Sequence, residues 1–344
     1  KEEVEKVIAP LVSDGQTTES TEEAQEEKDP LIPEIDTSVE LQAGSRVAVV
    51  SKSTSGEFWG LVKKGMEQAI ADVNEAYGFK KEDQVTMTFE GASDEKDVES
   101  QVNTIDAVIA ENPDVLCVSA SDMDSLQAQL EAAKENGIPV VAFDSGVTDS
   151  KMVRAFRGTD NTRVGEIAAY RLATAIGKMG KVAVFSAQEK TQSIQERVSG
   201  FTNYITNYPD IEVVEIVYQD QVDDMTAAMQ EVLDKYPQLD GVFCDNADIA
   251  DLYLDMKKDE TKDSIVMVGV DATAKQQEAI WNSKEVGVVS QQPYAMGYQT
   301  IWTALLTTAP KKSVEIKRNV RIDPAWIDSS NIDDPTYSSY LYAN

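Results

Sequence analysis

From residue 46 to about 307, short β-branched runs alternate with amphipathic stretches of helical length. Val47-Ala-Val-Val-Ser51 reads as a strand. Residues 58–77 follow as a helix, with Phe58, Val62, Met66, Ile70 and Val73 on one face. The spacing predicts strands at 85–89, 115–118 and 139–143, separated by helices at 95–111 and 123–136. It then predicts helices at 162–176, 193–207, 225–236, 249–257, 274–282 and 294–307. Between them lie strands at 181–185, 212–218, 241–244, 265–270 and 287–290. Near-continuous apolar strands between helices indicate parallel sheet covered on both faces, and about ten such units exceed one doubly wound sheet. The expectation is an α/β protein with two lobes, each presenting ligand groups outside the carboxyl ends of its strands.

Residues 1–44 break this rhythm. They carry 13 acidic residues against three lysines, and 17–27 has no apolar period, so the stretch reads as a self-repelling, disordered tether. Over all 344 residues the net charge is −30, which disfavours nucleic acid and anionic lipid as partners. The absence of histidine excludes a His-based triad, a His zinc site and an imidazole pH switch. Two cysteines are too few for a multi-thiolate metal site. Cys117 and Cys244 sit in apolar strand-like runs and are expected as buried free thiols. Trp281 and Trp302 lie on helix patterns and read as packing.

The strand ends are polar. Ser51-Lys-Ser-Thr-Ser-Gly-Glu precedes Phe58-Trp59; Asp144-Ser145 ends the fourth strand. Arg197, Asn246, Asp271 and Gln291 stand at corresponding points further on. Ser55 and Glu57 read as caps of the first helix. This set has no nucleophile–base couple and suits a hydroxyl-rich ligand: Asp accepts, Arg donates, amides do both, and an aromatic face covers the apolar side of a sugar ring.

On these residues the chain resembles the type I periplasmic solute-binding proteins of the ribose-binding kind, whose lobes are related to the effector domains of lactose-repressor-type regulators. The resemblance covers about residues 46–323. It rests on Ala48-Val-Val-Ser with Phe58-Trp59, Gly137-Ile-Pro-Val-Val-Ala-Phe-Asp144, Gly158-Thr-Asp-Asn161, Glu196-Arg197-Val-Ser-Gly-Phe201, Phe243-Cys-Asp-Asn246, Val268-Gly-Val-Asp271 and Ser290-Gln-Gln-Pro293. It implies two lobes joined by three crossings near 158–161, 291–293 and 320–323. The first lobe would take 45–158 and 292–321, the second 159–291 and 322–344. Carried over by motif, Phe58 and Trp59 would contact the ligand ring, while Asp144, Arg197, Asn246, Asp271 and Gln291 would bind its polar groups. Two positions depart from the ribose binders: Ser145, still placed among the ligand contacts, replaces an arginine, and Asp223 stands where an aromatic is placed, leaving the site less cationic and one stacking wall short.

The resemblance implies an extracytoplasmic receptor, periplasmic or a cell-surface lipoprotein whose signal segment is not part of this chain. It would act as a monomer, without cofactor, metal or catalytic residue, and deliver a small neutral sugar or polyol to an ABC permease in the membrane. With Arg197 as the one assigned cation and no glycine-rich phosphate cradle, a phosphorylated ligand is not expected. The alternative is a sensor presenting its ligand to a chemoreceptor or histidine kinase. A transcriptional regulator would need a basic helix-turn-helix ahead of Arg46, where the sequence is acidic. A glycosidase could pair Asp144 with Asp271, although the binding motifs account for both without chemistry.

Overall fold

A computed structural model describes residues 29–259, 264–310 and 314–343. The first lobe opens with β1 (Arg46–Ser53), α1 (Gly56–Tyr77), β2 (Thr86–Ala92), α2 (Val98–Ala110), β3 (Val115–Val118), α3 (Gln127–Glu135), β4 (Val140–Phe143) and β5 (Ala155–Thr159). The second contains α4 (Asn161–Ala175), β6 (Gly180–Ser186), α5 (Gln192–Ile205), β7 (Ile211–Tyr218), α6 (Met225–Lys235) and β8 (Gly241–Cys244). It continues through α7 (Ala247–Met256), β9 (Val266–Val270), α8 (Ala274–Trp281) and β10 (Gly287–Ser290). Then come α9 (Pro293–Leu306), β11 (Asn319–Ile322), β12 (Ala325–Ile327) and a 3₁₀ segment, Pro335–Tyr340.

Among the described residues two six-stranded sheets form, ordered β11-β5-β4-β3-β1-β2 and β12-β10-β9-β8-β6-β7. The first is parallel throughout; in the second only β12 runs antiparallel, beside β10. The chain passes between sheets three times: from β5 to α4, from β10 to α9, and from β11 to β12. Strands β5, β11 and β12 escape the periodicity because polar residues interrupt them or they are only three residues long; β5 carries a buried Arg157 bonded to the Phe156 and Lys317 carbonyls, and β11 holds Asn319 and Arg321.

Local signals set the helix ends. Asp97, Asp160, Asp224 and Asn246 accept backbone N–H groups at the starts of α2, α4, α6 and α7, and Thr273 with Gln276 forms a capping box on α8. Gly78, at φ 66°, ends α1 in the left-handed conformation that glycine adopts without a Cβ penalty. Helix α3 begins at Gln127 rather than 123. The Asp122 carboxylate accepts from the N–H groups of Asp124 and Ser125 and holds a turn, which frees the Met123 N–H to bond Lys190 in the other lobe.

Residues 29–44 do not form a tether. Val39 and Leu41 are buried in the first lobe's core; Ile32 and Ile35 pack against it. The Tyr77 hydroxyl bonds the Val39 carbonyl (2.7 Å) and Gln299 the Leu31 carbonyl (2.7 Å). The high charge of the flanking sequence hid four spaced apolar residues with enough area to dock. The remainder of that expectation, 1–28, lies outside the described residues. Trp281 is also not packed: it is 52% exposed at the end of α8, whereas Trp302 and Trp326 are buried.

Candidate functional site

Residues following β1, β4, β9 and β10, with the first turns of α1, α5, α7 and α8, line one cavity of 740 Å³ between the lobes. Phe58, Trp59, Asp144, Arg197, Asn246, Asp271 and Gln291 all line it. Ser145 does not. Next to Asp144 it faces the opposite way, where its hydroxyl bonds that of Ser193 (2.7 Å) and ties the lobes together. Asp223 is exposed outside the cavity, and Gln219 lines that side.

In the first lobe, Oδ2 of Asp144 accepts from the Ser119 hydroxyl (2.9 Å) and lies 3.1 Å from the Lys52 ammonium. Glu95 stands 3.4 Å from the same ammonium and accepts from the Trp59 indole N–H (2.7 Å). Burial works against the Lys52 charge, but Asp144 and Glu95 outweigh it and raise its pKa above the usual lysine value. Phe58 meets Trp59 edge to face at 5.0 Å, and Trp59 backs onto Phe143.

In the second lobe, Arg197 rides on α5, which lies almost against α4. A Cβ built on Gly165 would fall 2.1 Å from the Arg197 carbonyl oxygen, so only glycine permits this approach. The guanidinium donates Nε–H to Asn161 (2.8 Å) and Nη1–H to the Asp245 carbonyl (2.7 Å). Among the described residues its other N–H groups have no hydrogen-bond partner. Beneath it, burial pushes the Asp245 carboxyl up to about 6 against the opposing pull of Ser186 and Arg197. Asn246 spends its carbonyl oxygen on the Ile249 N–H at the start of α7, so its amide remains a donor. Asp271 accepts from Gln291 Nε2 (2.7 Å), the Ala247 N–H (2.9 Å) and the Tyr342 hydroxyl (2.8 Å); Gln291 in turn accepts from Thr159 (2.7 Å).

The lobes touch on both sides of the cavity. Gly146 N–H donates to Gln192 (2.6 Å) on one side; on the other, Glu57 crosses the mouth to accept from the Ala274 N–H (3.0 Å) and is no cap of its own helix. Carboxylates outnumber cations among the lining side chains. At the rim, Asp248 is raised to about 6 by desolvation in the cleft and then by the charges of Glu95, Asp271 and Asp251.

Lys52, Glu95, Asp248 and Tyr342 were not among the residues singled out in the sequence. Lys52 stands in the first strand-end motif and was available to the same reasoning. Tyr342 reaches Asp271 from 71 positions away, beyond any local pattern.

Residues 47–309 match the family model described as "Periplasmic binding protein domain". The ribose import binding protein of Bacillus subtilis (strain 168) is 27% identical over 203 residues, 59% of this chain and 66% of that protein. That of Escherichia coli (strain K12) is 24% identical over 191 residues, 55% and 64% respectively. The chain thus spans just under two thirds of the length of these curated relatives. Among solved structures, an ABC transporter solute-binding protein from Agrobacterium vitis with bound D-fucose is 28% identical, with a TM-score of 0.78, 87% of this chain and 100% of that chain covered. A carbohydrate transporter solute-binding protein from Agrobacterium radiobacter in complex with D-arabinose is 28% identical at TM-score 0.77, covering 87% and 99%. With three-quarters of its length inside the matched domain and two parallel lobes enclosing the cleft, the chain belongs to the periplasmic binding protein domain family.

Proposed function

We propose that this protein is the extracytoplasmic substrate-binding component of an ABC importer, a monomer that takes a small neutral sugar or polyol into the cleft and closes on it without chemistry. The observation that carries the reading is the pairing of Asp144 and Asp271, one from each lobe, around one 740 Å³ cavity that Arg197, Asn246 and Gln291 also line. Open acceptors on both carboxylates and open donors on Arg197 and Asn246 suit several hydroxyls, and the Phe58 and Trp59 rings suit the apolar face of a sugar. Because carboxylates predominate, a sugar phosphate would be repelled even though Lys52 adds a second buried cation. The relatives point the same way: their names and structures record ribose, D-fucose and D-arabinose. Only contacts stronger in the closed form drive closure, and a ligand held by both aspartates makes such contacts.

A thermal-shift series with D-ribose, D-arabinose, D-fucose, D-tagatose, D-allose and xylitol tests this reading. At least one should stabilise the protein in a concentration-dependent way, following RT ln(1 + [L]/Kd). Stabilisation by sugar phosphates alone would contradict it.

A further inference from the structure

Residues 310–343 lie outside the matched domain, yet the chain returns through them to the binding cleft. After β12 the tail crosses the second sheet, Ile332 packs with Ile280, Val288 and Ile327, and the Tyr340 carbonyl accepts from the Ser290 hydroxyl (2.5 Å). Tyr342 is then held by its N–H on the Ala272 carbonyl (3.1 Å). Its buried hydroxyl donates to Asp271 Oδ1 (2.8 Å), and its ring stands 6.1 Å from that of Phe58 on the opposite lobe.

An ionised carboxylate offers about four acceptor positions. On Asp271, Gln291 and Tyr342 occupy both positions of Oδ1, and the Ala247 N–H takes one of Oδ2. We propose that Tyr342 is a positioning residue of the cleft: its hydroxyl fixes Asp271 so that a single acceptor, on Oδ2, remains for the ligand, and its ring joins the two lobes through Phe58. The tail is therefore part of the binding site, and Asp271 takes one ligand hydroxyl rather than a pair. Tyr342 itself does not line the cavity; it acts through the two residues that do. The identity of the group accepted by Oδ2 rests on the sugar-binding reading, whereas the joint between the lobes does not.

Full-length Tyr342→Phe and Tyr342→Ala variants test both parts. In sugar-free protein, spin labels on Lys64→Cys in α1 and Glu278→Cys in α8 report the separation of the lobes, and the native Cys117 and Cys244 are buried away from the reagent. Tyr342→Ala should lengthen and broaden the distance distribution, and Tyr342→Phe, which keeps the ring, should stay near wild type. A Tyr342→Ala distribution that overlays wild type overturns the proposal, whichever sugar binds. In calorimetry with D-ribose, D-arabinose and D-fucose, any sugar held by wild type should bind Tyr342→Phe more weakly, by up to about 13- to 160-fold, the equivalent of one hydrogen bond to a charged group. Unchanged affinity in that variant overturns the positioning role. If wild type binds none of the three, the functional reading for these sugars fails, and the distance measurement still decides the part played by Tyr342.

Discussion

Asp144 and Asp271 occupy the same place in the two sheets. Each directly follows the fourth strand counted from the β2 or β7 edge, and each is left-handed, at φ 57° and 80°. Each N–H extends the ladder to the neighbouring strand, Asp144 to the Arg157 carbonyl (2.9 Å) and Asp271 to that of Val289 (3.1 Å). The left-handed turn aims both carboxylates into the cleft, at a conformational cost that glycine would not bear.

This geometry predicts a separation of stability from binding. At either position the glycine variant should be more stable than the alanine variant by about 1 kcal/mol, since both lose the same carboxylate and only alanine keeps the strain. Both should lose ligand affinity. Urea unfolding of the four variants checks the first statement and calorimetry the second; equal stability of each Gly/Ala pair would show that the turn stores no strain.

Lys52 neutralises two carboxylates in the buried wall of the cleft. Its replacement by methionine leaves Asp144 and Glu95 without their shared cation, and removing one partner of such a buried pair costs about 3–5 kcal/mol. Lys52→Met should therefore unfold at lower denaturant, with Asp144→Asn in the same chain recovering part of the loss. Wild-type stability of the single variant would mean that the ion pair is solvated.

The apolar residues of 29–44 should support the first lobe. Leu41→Ala should cost about 2–4 kcal/mol by leaving a cavity, lowering the midpoint of thermal unfolding, while sugar affinity stays within threefold because no lining residue lies in this stretch. An unchanged midpoint would return these residues to the status of a tether.

Most of the fold was legible because buried parallel strands are apolar almost throughout and stop at polar residues, as at Phe143-Asp144 and Val270-Asp271. Seven of the eight residues assigned at the strand ends and by the resemblance line the cavity. Ser145 lies off the cavity because the motif fixes a position in the chain and not the direction of a side chain after a left-handed residue. Glu57 and Tyr342 were illegible for another reason: their partners, Ala274 and Asp271, come near only once the chain has crossed between lobes.

Glu285 predicts a pH dependence. It is 1% exposed, and neither carboxyl oxygen has a hydrogen-bond partner among the described residues, so burial raises its pKa well above 4.5, with Gln276 nearby opposing only part of the shift. The folded state then holds a proton that the unfolded chain releases. This group's contribution to stability falls as pH rises from about the unfolded value of 4.5 toward the higher folded value. Glu285→Gln should be more stable than wild type at pH 8, with the advantage shrinking as pH falls toward 4.5. Denaturant titrations at the two pH values check this; a constant difference would show that Glu285 does not titrate on unfolding.

If one ligand is held by aspartates from both lobes, calorimetry of Asp271→Ala with the sugar that stabilises wild type must show it. Removing Asp271 leaves the ligand hydroxyl and the donors of Gln291, Tyr342 and Ala247 unpaired in the cleft. The expected cost is about 2–4 kcal/mol, a loss of roughly thirty- to a thousand-fold in affinity. Ser145→Ala, which loses one contact between the lobes and none in the cavity, should lose far less affinity. Wild-type affinity in Asp271→Ala, with circular dichroism showing the fold intact, would mean that the ligand is not held by Asp271 and that the binding site lies elsewhere.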